Sequence, residues 1–304
     1  MKYRVTHTTE FLYDAPVGLC HNEARLLPLE LPHQKVLSAT LKIEPSPHDR
    51  FERLDYFGNR TTYFSIQEPH ESLLVTAVSE VQVDPPDPGG HPAARLQEAG
   101  LFDSPESRTW ESVRDRLRSE RSAAIIEAFQ FSFDSPMVGV DEQLAAYARP
   151  SFPPGRPFDE AVQDLMQRIF REFKYDPEFS TIATPLDQVL EHRSGVCQDF
   201  AHLAIGCLRS LGLAARYVSG YIETVPPPGK ERLVGADASH AWFSVFAPGY
   251  GWLDFDPTNN QIPREQHITL ARGRDYADVT PLKGVAFGGG QHKLRVAVDV
   301  LRIE

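Results

Sequence analysis

Ser194-Gly195-Val196-Cys197-Gln198-Asp199-Phe200-Ala201-His202-Leu203 is the stretch on which the reading of the whole chain turns. Val196, Phe200, Leu203, Ala204, Cys207, Leu208 and Leu211 recur at helical spacing, which predicts a long, buried helix. Ser194 is the residue type that caps a helix start and Gly212 the type that stops one, so Cys197 is expected in the first turn. That placement has chemical weight. The attacking species is a thiolate, and an ordinary thiol with a pKa of about 8.5 is mostly protonated at neutral pH. The unpaired amides of a helix N-terminus favour negative charge and can also hold an oxyanion. A free cysteine is more often a small buried hydrophobe. Cys207, on the apolar stripe, fits that description, and Cys20 has no partner pattern.

Working forward, residues 214–222 read as a strand, followed by a polar stretch, 223–235, that contains Pro226-Pro227-Pro228-Gly229 and is expected to be a loop beside the site. Residues 238–258 then read as two strands around Pro248-Gly249. With the turn centred on Pro248, His240 falls opposite Asp256, Trp242 opposite Asp254 and Ser244 opposite Trp252. Directly opposed side chains share a face with Cβ atoms about 5 Å apart. A carboxylate there can hold one imidazole nitrogen and turn the other toward a nucleophile. Asp256 is the first choice for that carboxylate, with Asp254 as the alternative if a bulge shifts the register. Taken singly, His240 reads as a structural histidine and Asp256 as a turn-capping carboxylate ahead of Pro257-Thr258. Their occurrence together with Cys197, in this order and these contexts, points to nucleophilic catalysis.

Working backward, residues 158–173 carry an apolar stripe of Val162, Leu165, Met166, Ile169, Phe170 and Phe173, read as a core-facing helix. Trp110, Val113 and Leu117, then Leu144 and Tyr147, mark shorter helical pieces. Asp84-Pro85-Pro86-Asp87-Pro88-Gly89-Gly90 tolerates neither helix nor strand and marks a boundary. Before it, runs at 3–9, 36–44, 61–67 and 73–83 predict an antiparallel β-sandwich. The expected division is a β-sandwich domain over 1–84, a linker over 85–104 and a catalytic part over 105–304. Residues 294–300 alternate as a strand, and Gly288-Gly289-Gly290 before it reads as a turn.

The bulk numbers narrow the function class. The 304 residues carry a formal net charge of −11, which disfavours docking on phosphate backbones or anionic lipid. No apolar run approaches the roughly 18 residues of a membrane span, and no signal-peptide pattern opens the chain, so neither nucleic acid nor membrane is an expected partner. Three cysteines without a CxxC pair argue against a cysteine-rich zinc site and suit a reducing, cytoplasmic setting.

Gly195-Val196-Cys197-Gln198-Asp199-Phe200, His240-Ala241-Trp242 and Gly251-Trp252-Leu253-Asp254-Phe255-Asp256-Pro257-Thr258 together resemble the three core motifs of the transglutaminase-like superfamily. Phe173-Lys174-Tyr175, Thr184-Pro185-Leu186 and residues 273–281 resemble its bacterial branch, whose extra N-terminal β domain residues 1–84 resemble. The resemblance implies an α+β, papain-like core with helices packed on an antiparallel sheet. It implies Cys197 as nucleophile, His240 as general base and acid, and Asp256 as the orienting carboxylate. Tyr221, Trp242, Gln198 and Asp254 are candidates for the substrate cleft. No D-x-[DN]-x-[DN]-G loop is present, so calcium is not carried over, and no cofactor is expected. The expected chemistry is acyl transfer through a thioester, with hydrolysis of a peptide or isopeptide-like amide of a peptide or protein substrate favoured and protein-glutamine transamidation to an amine as the alternative. The competing readings are a non-catalytic peptide-binding module and a metal site built from His192, Cys197, His202 and His240, a set whose spacing does not stack on one helical face.

Overall fold

The computed structural model describes residues 1–84, 108–179, 181, 184–223 and 239–304. The linker expected over 85–104 and most of the loop expected over 223–235 lie outside them.

The N-terminal region is built on one long strand, β1 (Lys2–Ala24), joined by β2 (Gln34–Glu44), β3 (Asp49–Leu54), β4 (Arg60–Ile66) and β5 (His70–Val83) in the order β2-β5-β1-β4-β3. The register of β1 breaks between Leu12 and Val17, so its first half runs beside β5 and its second half beside β4. Val17, Cys20, Phe64, Leu41, Val75 and their neighbours pack into one cluster, so the two halves fold over a shared core. The sandwich expected here is thus a single bent antiparallel sheet. β3 escapes sequence reading because all six of its residues are exposed, leaving no alternation to detect.

Then follow α1 (Trp110–Ser119), α2 (Ala123–Phe129), α3 (Glu142–Ala148) and α4 (Phe158–Glu172), then β6 (Lys174–Tyr175), α5 (Leu186–His192), β7 (Ser194–Gly195) and α6 (Cys197–Ser210). α4 buries Val162, Leu165, Met166 and Ile169, whereas Phe170, assigned above to the same stripe, is 45% exposed. The second sheet comprises β8 (Ala215–Ile222), β9 (Ser239–Ala247), β10 (Gly251–Phe255) and β11 (His267–Gly273), ordered β10-β9-β8-β11. α6 packs on β8 and β9 and is flanked by α3, α4 and α5. Its residues from Phe200 to Leu208 are wholly buried, which is why its sequence is apolar nearly all round.

After α7 (Tyr276–Val279) the chain returns to the N-terminal sheet. β12 (Leu282–Gly288) pairs with the second half of β1 and β13 (His292–Arg302) with the first half. Residues 282–302, which the division drawn from sequence leaves with the catalytic part, therefore belong to the first sheet. Pairing at this sequence separation leaves no local trace, so only the strand itself is legible.

The two sheets meet at β11, one of the two edge strands of the second. Gln34 Nε2 donates to Thr269 O while Gln34 Oε1 accepts from Thr269 N, both at 2.8 Å. Asn59 treats Arg272 likewise, with Nδ2 donating to its carbonyl and Oδ1 accepting from its amide, both at 2.8 Å. Two side-chain amides thus stand in for a missing strand and close an edge that would otherwise be open.

His7 of β1 is buried with Nδ1 2.8 Å from the Tyr221 hydroxyl, and His202 of α6 is buried with Nε2 accepting from Tyr276 N at 3.1 Å. Burial holds each imidazole down, to about 4. An unfolded histidine has a pKa of about 6.5, so between these values the unfolded chain binds more protons than the folded one. Stability is therefore expected to be complete above pH 6.5 and to fall toward pH 4 by about 1.4 kcal/mol per pH unit for each histidine. Urea midpoints across that range check this, and His7→Gln should flatten the dependence.

Candidate active site

Cys197 is the first residue of α6. The helix begins later than a Ser194 cap would place it, because residues 194–195 form β7 in parallel with β6. Val196 is the cap position, and Asp199 supplies the missing acceptor by folding back to take Val196 N–H at 2.8 Å. Gly195 makes this possible, since a Cβ there would lie 2.8 Å from the Asp199 side chain. Of the three free thiols only Cys197 is partly exposed; Cys20 and Cys207 are buried, and burial pushes both thiols up.

The hairpin of β9 and β10 carries the other two groups. Asp254 opposes Ser244 and Trp252 opposes Phe246, so the register differs by two residues from the one expected. The cause is the turn, which centres on Gly249 rather than Pro248 and uses positive φ at Gly249 (87°) and Gly251 (105°). A shift of two preserves facing, so Asp256 stays on the face of His240 although it no longer sits directly opposite. Asp254 instead hydrogen-bonds Ser244 Oγ and does not reach the histidine.

His240 Nε2 lies 2.8 Å from Asp256 Oδ2, and Cys197 is near enough to the same imidazole to act on its pKa. With Nε2 engaged by the carboxylate, Nδ1 is the nitrogen left for the sulfur. The two oxygens of Asp256 have different partners. Oδ1 caps the turn after β10 through Thr258 N at 3.0 Å and Asn259 N at 3.2 Å. Oδ2 takes His240, Asn259 Nδ2 at 2.8 Å and His267 Nε2 at 3.1 Å.

His267 and Asn259 were not identified from sequence. Asn259 sits in a turn of ordinary composition. His267 opens β11, 11 residues after Asp256, where nothing local marks it. Its Nδ1 accepts from Arg264 N at 3.4 Å, which leaves Nε2–H to donate to Asp256. Burial lowers the pKa of His267, consistent with a neutral ring in that tautomer. Asp256, though buried, is driven well below the usual carboxylate range because hydrogen bonds from His240 and His267 outweigh desolvation. For His240, burial acts downward, but the Asp256 hydrogen bond and the nearness of Cys197 prevail and raise it to about 10. A hydrogen bond to a charged group is worth about 1.5–3 kcal/mol. His267→Ala is therefore expected to lower kcat/KM by roughly 10- to 100-fold, with His267→Gln retaining most of it; steady-state kinetics distinguish the two.

Among the described residues, His240, Asp256 and His267 are also the one set whose potential ligand atoms lie within 4.8 Å of one another. The other metal set considered does not assemble: His192 is exposed against Phe179, and His202 accepts from Tyr276 N. Two cleft candidates need correction. Trp242 is fully buried, its indole 5.2 Å from the His267 ring and 6.0 Å from the His240 ring. Tyr221 is equally buried, with its hydroxyl turned to His7. Both are too deep to line an opening and instead support the hairpin from within. Gln198 is half-buried beside Cys197. Tyr175, Tyr217 and Tyr276 lie within electrostatic reach of the sulfur; burial first, then the charge of Cys197, raises each phenol.

Comparison with known proteins covers both regions. Residues 3–82 match the bacterial transglutaminase-like N-terminal region, and residues 145–257, which include Cys197, His240 and Asp256, match the transglutaminase-like superfamily. An uncharacterized protein of Mycobacterium tuberculosis is 41% identical over 308 residues, covering 100% of this chain and 93% of that one. A protein-glutamine gamma-glutamyltransferase of Pseudomonas aeruginosa is 30% identical over 175 residues, 53% of this chain and 24% of that protein. A crystal structure described as a candidate cysteine protease of Cytophaga hutchinsonii superposes with a TM-score of 0.72 at 20% identity, covering 100% of this chain and 92% of that one, a likeness of fold.

Proposed function

Because the chain belongs to the transglutaminase-like superfamily, we propose that it is a cysteine-dependent acyl-transfer enzyme that cleaves an amide of a peptide or isopeptide through a Cys197 thioester. The observation that carries this reading is the single imidazole of His240, held on Nε2 by Asp256 at 2.8 Å with Cys197 near enough to act on its pKa. The Cys197 thiolate attacks the carbonyl carbon, and the amide at the start of α6 holds the oxyanion. His240 gives its Nδ1 proton to the leaving nitrogen as the C–N bond breaks, and a thioester remains. Water then attacks, His240 takes its proton, and a carboxylic acid leaves with the thiolate restored. Transfer to an amine is the second reading, favoured by the glutamyltransferase relative; it uses the same triad and differs in what reaches the thioester. The free thiols suit a cytoplasmic setting, which we propose as its location.

The test is acid quenching during turnover of a peptide library, followed by peptide mass analysis. An acyl adduct on the peptide containing Cys197 is the expected result. Product carrying water or added amine then separates hydrolysis from transamidation. Turnover without any adduct, undiminished in Cys197→Ala, would defeat the thioester route.

A further inference from the structure

We propose that the cleft where the N-terminal sheet, the helical segment and the second sheet meet binds a small monocarboxylate through Arg216 and Arg272. Arg272 of β11 opposes Val218 of β8, and Arg216 lies two residues before Val218, so the two arginines share one face. Both border a cavity of about 200 Å³ whose walls include Phe57, Phe131, Gln130 and Glu127. Arg216 is only 9% exposed and stacks 4.1 Å over the Trp252 ring, leaving the guanidinium edge for hydrogen bonding.

Among the described residues, the Nε atoms of Arg216 and Arg272 are buried and unpartnered. This is not the habit of the chain. Arg209, equally deep, donates to the carbonyls of Phe131, Ala215 and Arg274 and to Ser135 Oγ. Arg108 forms a two-pronged pair with Asp159 at 3.0 and 2.6 Å. Buried cations without partners are costly, and an unsatisfied one calls for an unseen ion or ligand. Asp254 on the same face and the exposed Glu127 act on Arg216 by charge, and Asp254 on Arg272, but neither carboxylate hydrogen-bonds them, and Asp254 accepts from Ser244. Burial pushes both guanidinium groups below their usual range, and the charge of Arg272 adds to the effect on Arg216. A bound anion relieves both effects.

The class of anion follows from the walls. A planar carboxylate matches the guanidinium fork. The negative charges of Asp254 and Glu127 oppose a dianion, and Phe57 and Phe131 suit an apolar body. A free aromatic acid and a peptide C-terminus share this chemistry, so benzoate and N-acetylphenylalanine are the two probes. Thermal unfolding of the full chain should show a rise of roughly 5 °C at about a hundredfold excess over Kd. Whichever probe shifts more identifies the source. Benzamide and sodium chloride at matched ionic strength should have no such effect. Arg216→Met and Arg272→Met should each abolish the shift and raise the ligand-free melting temperature. Glu127→Gln, a surface change, keeps the test decisive if those variants fold poorly: it should preserve or enlarge the shift. The proposal is overturned by absence of a carboxylate-specific shift in the wild type, by its survival in both arginine variants, or by a larger response to phosphate. A loss of ligand-free stability in Glu127→Gln, marking Glu127 as the counter-ion, also overturns it.

Discussion

Cys197→Ala is expected to lower kcat by roughly 10⁴- to 10⁶-fold, the scale on which a covalent nucleophile acts, while leaving the fold intact. The two halves of that expectation rest on different observations. The sulfur is the group that must form the thioester, and neither other thiol can replace it, because Cys20 and Cys207 are sealed in the core with their pKa raised. Cys197 is only half-buried at a helix start, so alanine there opens no deep cavity. A melting temperature within a few degrees of wild type, beside a collapse in turnover, separates chemistry from stability. Cys197→Ser sharpens the comparison. It keeps size and hydrogen-bonding capacity but replaces an easily ionised thiol by a hydroxyl, so it should be nearly as inactive.

Asp256→Asn is expected to cost roughly 10³- to 10⁴-fold in kcat/KM, because the site is built for a carboxylate rather than an amide. Five donors converge on Asp256: the amides of Thr258 and Asn259 on Oδ1, and His240, His267 and Asn259 Nδ2 on Oδ2. An asparagine must turn its NH₂ toward one of these groups. Facing the backbone amides, it unmakes the turn that places the residue. Facing His240, it forces the other tautomer and points a neutral N–H at the sulfur. The pH profile carries a signature of its own. His240 has its pKa raised to about 10, so its protonated form persists above the ordinary 6.5 and is lost as pH rises through the higher value. Without the carboxylate, burial dominates and draws the pKa down. The alkaline limb of kcat/KM should therefore move to lower pH in Asp256→Asn. A loss of activity with the limb unmoved would indicate a purely structural role.

These residues also mark what the sequence could and could not disclose. The helix after Val196 was legible because its apolar spacing is unbroken from Phe200 to Leu211, and Gly212 (φ 81°) ends it as expected. Its start lies later than Ser194 predicts because Asp199, within the first turn, does the work expected of that serine. The hairpin was legible in facing but not in register, since strand parity survives a two-residue change in turn length whereas opposition does not. His267, Gln34 and Asn59 act across breaks in the chain, by hydrogen bonds that impose no periodicity on their surroundings. The return of β12 and β13 to β1 joins the two ends of the chain and is equally silent in local pattern. Motif and period thus expose the candidate reacting groups. The groups that hold them in place come from long-range pairing.

The most direct test is the rate of alkylation of Cys197 by iodoacetamide at neutral pH, in wild type and in His240→Ala. With its imidazole partner in place, the sulfur should be alkylated several-fold faster in the wild type than in the variant. A slow rate that is unchanged when His240 is removed would contradict the account.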